Sequence, residues 1–284
     1  ILLYLQGLRA ASVRFEARYL PDGSGDVPDD RRAQIDGAGW VLWATGVLLS
    51  EVPESSRADV AAELLPLVET ARRDIDLQTT TRTGLPWPSS DYWEVGAIDV
   101  SLGTAAPLLA GLESAVRIYD ALGRVEDASS ARHAAEELRD AVVVHFGPDG
   151  YPRYLGGRQS DAATAFLLPP FQPTPLDGAI EAWEASIEPM TRPAGGLAPG
   201  AGWRQDGVSW TPQTALYALV AASTGRDDEA RRWLTWLDEH RTASGALPEK
   251  VLADGSPAAV APLAWTASLV VLSVAALEED SGAQ

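Results

Sequence analysis

Cysteine is absent from the 284 residues, which excludes disulfide bridges and thiolate metal sites. Histidine is scarce. His133, His145 and His240 stand apart, at none of the spacings that bring two imidazoles to one metal ion, so no metal and no cofactor is expected. Basic residues are also few: 22 Lys and Arg face 40 Asp and Glu. The resulting net charge of −18 argues against nucleic acid, which asks for a basic footprint. No apolar run reaches the roughly 18 uncharged residues of a membrane span. The chain starts at ILLYLQGLRAAS, with neither a Met nor a basic-then-apolar leader, and an upstream part is expected. The compartment stays open, with a soluble cytoplasmic chain the preferred reading, and nothing fixes the oligomeric state.

What is present is apolar surface and tryptophan. Hydrophobic residues make up 46% of the chain, too much for disorder and enough for a large core. Neither a linker nor a low-complexity segment divides it, so residues 1–284 read as one domain. Ten Trp is a high number for this length. A buried indole needs a partner for its N–H, so some Trp fill the core and others are candidates for a pocket wall.

The periodic segments read as helices, about ten of them. Among them are ILLYLQGLRAASVRFEARY, GAGWVLWATGVLLSEV, SRADVAAELLPLVETARRDIDL and LGTAAPLLAGLESAVRIYDALGR. VEDASSARHAAEELRDAVVVHFG follows, then DAATAFLLPPF, PLDGAIEAWEASIE, TPQTALYALVAASTG, RDDEARRWLTWLDEHRT and APLAWTASLVVLSVAALEED. Pro66 should kink its helix. Trp40 and Trp43, three apart, should share a face. No convincing pair of strands appears, apart from a weak GYPRYLGG. Short connections, GRVEDA and STGRDDEA, alternate with long ones rich in Gly, Pro, Trp and acids at 19–37, 77–100, 147–161, 189–210 and 241–263. Helical hairpins set in a ring would gather the long loops at one end, where function is expected.

Two loop carboxylates stand out. Glu94 lies in LPWPSSDYWEVG and Glu249 in SGALPEKVLADGSP. A lone loop Glu is usually just solvated. These two share a class of loop with residues suited to sugars, whose rings need apolar faces and forked polar groups. Asp36, Trp93, Arg204, Asp206, Trp210 and Trp265 make up that set. Asp161 reads as a helix N-cap rather than a ligand.

Five segments, in order, resemble glycoside hydrolase family 15, the glucoamylase, glucodextranase and bacterial trehalase-like enzymes. They are YLPDGSG…AQIDGAGWVLWA, LPWPSSDYWE, SDAATAFLLPPF, WRQDGVSW and ALPEKV…PLAWTASLV. The resemblance covers nearly all of the chain. It implies an all-α, (α/α)6 toroid, here lacking its amino-terminal part. It also implies an inverting, exo-acting enzyme that releases glucose from an oligosaccharide or disaccharide α-glucoside. By match, Glu94 is the general acid and Glu249 the general base. Such a pair stands about 6.5–9.5 Å apart, with a water between. Asp36 would order the substrate site, Arg204 and Asp206 would hold hydroxyls, and Trp93, Trp210 and Trp265 would shape the pocket. A wall of Tyr92 and Trp93 would suit an acid that must stay protonated.

The chain also departs from the pattern. Val95 replaces a second acid, and Lys250 replaces the Gln after the base. A cation at 250 could hold Glu249 ionised or engage it out of use. The main alternative is a non-catalytic glycan-binding relative of the same fold. An unrelated helical lyase or terpenoid cyclase is less well supported, since no D-D-x-x-D cluster occurs.

Overall fold

A computed structural model describes residues 2–8, 15–20, 22–32 and 34–282. Its α-carbon contacts fall into two compact units. One comprises 1–148 with 154–156, and the other 149–153 with 157–284.

The first unit contains α1 (Leu2–Leu8), α2 (Asp36–Glu51), α3 (Glu54–Thr79), α4 (Leu102–Ala121) and α5 (Val125–Phe146). Helix α4 is apolar on nearly every side and almost wholly buried. It packs against α2 on one flank and α5 on the other. Helix α5 is the opposite type. It buries one stripe, Ala128, Ala131, Ala135, Leu138, Val142 and Phe146, and turns its charged residues to water. Pro66 lies inside α3, which runs on past it. Trp40 and Trp43 meet edge to face with their centroids 6.0 Å apart, as their spacing suggests.

The second unit repeats this alternation. A 3-10 helix (Ala162–Leu167) and α6 (Ala179–Met190) precede α7 (Thr211–Ser223), α8 (Asp227–Glu239) and α9 (Ala264–Gly282). Helix α7 is buried from Thr211 to Ala222. Helix α8 buries only Ala230, Trp233 and Leu237, at spacings of three and four. A buried helix followed by an amphipathic one, joined by the three residues 122–124 or 224–226, is the hairpin of an inner and an outer layer. The long connections contact one another within each unit. Arg18 reaches Glu94 in the first, and strand β1 (Ser209–Trp210) pairs with β2 (Lys250–Val251) in the second.

Three expectations need correction. Strands do occur: β1, β2 and β3 (Pro257–Ala258) form a small antiparallel sheet in that order. Two residues each are too few to show alternation. DAATAFLLPPF is a 3-10 turn rather than an α-helix, because Pro169 and Pro170 halt propagation. The opening helix spans only Leu2–Leu8 among the described residues; residues 15–19 of the expected helix are not helical, and residues 1 and 9–14 lie outside the described residues. The expected role of Asp161 does hold. It caps the 3-10 helix, its Oδ1 accepting the Ala163 N–H at 2.9 Å, and it pairs with buried Arg153 at 3.2 Å.

Helices α2 and α4 approach closely through two glycines. A β-carbon on Gly39 would lie 2.1 Å from the Pro107 carbonyl oxygen, and one on Gly111 would lie 2.7 Å from the Gly39 Cα. Neither neighbour is a side chain that can rotate away. Gly39→Ala should therefore destabilise the chain by about 3 kcal/mol, at the upper end of overpacking costs. Urea denaturation at constant m-value measures this, and a loss below about 0.5 kcal/mol would show that the helices separate easily.

Candidate active site

The segment SSDYWEVG folds as a turn built on a buried carboxylate. Gln34 bridges to Ser90 in parallel, and its Nε2–H donates to the Asp91 carbonyl at 3.0 Å. Asp91 has no exposed surface. Its Oδ1 accepts the Trp93 N–H at 3.0 Å, and its carbonyl accepts the Glu94 N–H at 2.7 Å. This Asx-type turn sets Glu94 at a left-handed φ of 57°, uncommon for a residue with a β-carbon. Gly103 leaves the space required, since a β-carbon there would lie 2.5 Å from Asp91 Oδ2.

Asp36 opens α2 beside this turn and is buried. The Trp40 Nε1–H donates to its Oδ2 at 3.2 Å. Burial, and then the neighbouring Asp91, push the Asp36 carboxyl up to about 7. Together with Tyr19, Gln34 and Trp40 it lines a cavity of about 230 Å³.

The Glu94 side chain is one-third exposed, at 34%. Its Oε1 accepts from Arg18 Nη2 at 2.7 Å, and its Oε2 pairs with Arg31. Both arginines also approach Asp29, Arg31 at 2.8 Å and Arg18 at 3.7 Å. Two guanidiniums hold this carboxylate. They come from a stretch more than sixty residues upstream, too distant for local sequence logic to find. A half-solvated carboxylate gains more from charge-assisted hydrogen bonds than from an indole face.

Glu249 is held by backbone. Its N–H donates to the Val260 carbonyl at 2.8 Å, and its carbonyl accepts the Thr211 N–H at 3.1 Å. The Thr211 hydroxyl donates to the Pro248 carbonyl at 2.5 Å. The register sets Trp210 opposite Lys250. The Lys250 ammonium lies 4.2 Å from the centroid of the Trp210 ring, a cation–π contact, and 3.8 Å from Glu249 Oε2. Trp203 meets Trp210 edge to face at 5.5 Å, and the Arg204 guanidinium lies 5.7 Å from the Trp203 centroid. The Trp210 Nε1–H is buried and finds no acceptor among the described residues.

The proposed site residues thus gather in two groups. Asp36, Trp93 and Glu94 meet around the Asp91 turn, and Arg204, Trp210 and Glu249 meet around the small sheet. Asp206 is exposed; its Oδ1 accepts the Val208 N–H at 3.1 Å, and its charge acts on buried Arg192. Trp265 lies at the start of α9, 37% exposed. Trp93 and Trp210 are half-buried, so none of the three chosen Trp is a core residue; Trp183 and Trp233 are. Sequence reasoning passed over Asp91, Gln34 and Trp203. All three lie in the segments that carry the family resemblance.

The sequence matches no family model and no curated protein. Solved structures do match. A wild-type glycosidase superposes with a TM-score of 0.75 at 20% identity, over 90% of this chain and 70% of its own. A bacterial glucoamylase complexed with acarbose gives 0.73 at 18%, over 98% of this chain and 45% of its own. The cellobiose 2-epimerase of Spirochaeta thermophila gives 0.60 at 15%, over 94% and 75%. This chain therefore spans under half of the glucoamylase's length. The likeness shows the fold, the all-α helical toroid read from the sequence, and among the described residues no helix is long and apolar enough to cross a membrane.

Proposed function

We propose that the chain is a single catalytic domain of an inverting, exo-acting glycoside hydrolase that releases glucose from α-glucosides. Glu94 protonates the leaving oxygen, and Glu249 draws a proton from the attacking water. The observation that carries this reading is the setting of Glu249. A carboxylate fixed by backbone just before a short strand stands beside a Trp210–Trp203 wall, in a fold shared with glycosidases. Such a wall offers a sugar ring an apolar face. Lys250, anchored on the Trp210 ring, sets a cation 3.8 Å from Glu249 Oε2. Arg204 and Asp206 take the hydroxyl contacts at the exposed end, Trp265 adds a further apolar edge, and Asp36 orders the acid side of the site. The neutral sugar substrate suits an acidic protein, which would repel polyanions.

One observation favours the second reading, a glycan-binding chain without turnover: as found, both Glu94 oxygens are occupied by arginines. The stereochemistry of the product separates the readings. An α-linked glucose disaccharide followed by proton NMR should give β-glucose first, before mutarotation. Retention, seen as α-glucose first, overturns the mechanism. Saturable binding of the disaccharide with no hydrolysis establishes the second reading.

A further inference from the structure

We infer that Arg18 and Arg31 form an ionic latch on Glu94, with Asp29 as the carboxylate that receives the two arginines when the latch opens. The inference rests on the reading of Glu94 as general acid. A general acid must carry a proton, and a guanidinium can only donate. With Arg18 on Oε1 and Arg31 on Oε2, each oxygen keeps only one free lone pair, and two cations beside the carboxylate work against placing a proton there. The latched state is therefore the inactive one.

The geometry supplies a second position for the same cations. Asp29 Oδ2 already lies 2.8 Å from Arg31 Nε and 3.7 Å from Arg18 Nη1. A small rotation of each side chain keeps both arginines paired on Asp29 and frees Glu94 to take up its proton. That makes the cluster a two-state element, which is what a switch needs. Glu94 is presented to it by a turn held in a left-handed conformation, a form of backbone strain that concentrates at functional positions. The side chains of Arg18, Arg31 and Glu94 are 41%, 34% and 34% exposed. Ion pairs so open to water shift an equilibrium by only about two- to five-fold each. They contribute little to stability, yet they can be broken by a substrate hydroxyl entering beside Glu94 or by salt.

Hydrogen–deuterium exchange of peptides spanning 89–96, with turnover of a neutral α-glucoside alongside, tests the latch. Raising NaCl from 0.01 M to 1 M shortens the screening length from about 30 Å to about 3 Å. The wild-type turn should then exchange faster, and turnover should rise several-fold. The Arg18→Gln/Arg31→Gln double variant should show both changes already at low salt, up to about 20-fold, and should lose its response to salt. Asp29→Asn, which removes the receiving carboxylate, should shift exchange and turnover the other way. Lower turnover in the double variant would mean that the arginines support the acid, and would overturn the latch. So would exchange that ignores both salt and substitution, and this arm needs no activity. If the double variant fails to fold, the salt response of the wild type and of Arg31→Gln decides the matter. Exchange that responds in a chain with no turnover of any α-glucoside leaves the ion-pair exchange standing and overturns the hydrolase reading instead.

Discussion

Glu249→Gln should lower hydrolysis of an α-glucoside by about 10²–10⁴-fold, and by the same factor for good and poor leaving groups. Water must be activated in either case, and a carboxamide cannot take its proton. The substitution keeps shape, and the Glu249 backbone is held by Val260 and Thr211 through contacts that the Glu249 side chain does not make. A fall in rate therefore reports chemistry rather than misfolding, and an unchanged Tm would confirm that. Glu94→Gln should behave differently. A disaccharide, whose leaving alkoxide needs a proton, should lose about the same 10²–10⁴-fold. An activated aryl glucoside, whose phenolate leaves unaided, should lose far less. Equal losses on the two substrates for Glu94→Gln would remove it from the acid role.

Asp36→Asn should abolish a pH-dependent loss of stability that the wild type carries. The Asp36 carboxyl is raised from 3.8 to about 7 in the folded chain, by burial first and by Asp91 second. Between those values the folded state keeps its proton while the unfolded state has released it. The unfolded state then binds fewer protons, so stability falls as pH rises. Below about 3.8 both states are protonated and the term vanishes; above about 7 the loss is complete. At 1.36 kcal/mol per unit, the raised value corresponds to a loss on the order of 4 kcal/mol across that window. Urea midpoints of wild type and Asp36→Asn, compared at pH 4, 5.5 and 7.5, should diverge steadily with the variant the more stable at high pH. A constant difference at all three would show that Asp36 ionises in place.

The parts of this architecture that were legible in the sequence are those where one helix face settles its own burial. RRWLTWLDE in α8 turns Trp233 and Leu237 inward by period alone. The continuous apolar run of α7 announces a helix buried all round. The site was legible where a motif is local: Asp91, Trp93 and Glu94 form one turn within four residues. What stayed hidden depends on contacts between distant segments. The pairing of Ser209–Trp210 with Lys250–Val251 spans some forty residues and leaves no alternation to read. The arginines on Glu94 are ordinary solvated charges until the chain folds; Arg18 lies 76 residues from its partner. Trp203 looked like a loop residue, and only its edge contact with Trp210 makes it part of the wall.

The small sheet has a consequence for redesign. Its β2–β3 connection turns back on itself at once. Leu252 N–H donates to the Ser256 carbonyl at 2.9 Å, Gly255 N–H donates to Leu252 at 2.9 Å, and Asp254 Oδ1 accepts the Ser256 N–H at 2.9 Å. Residues 252–254 are exposed, while Val251 and the backbone on either side of Glu249 are pinned. Tip and carboxylate are thus mechanically uncoupled. Each doubling of a flexible loop costs only about 0.6 kcal/mol, so new sequence can be spliced in at the tip while Glu249 keeps its place. This hairpin end is the place to graft a new recognition segment, a few residues from Glu249 and outside the ladder that holds it.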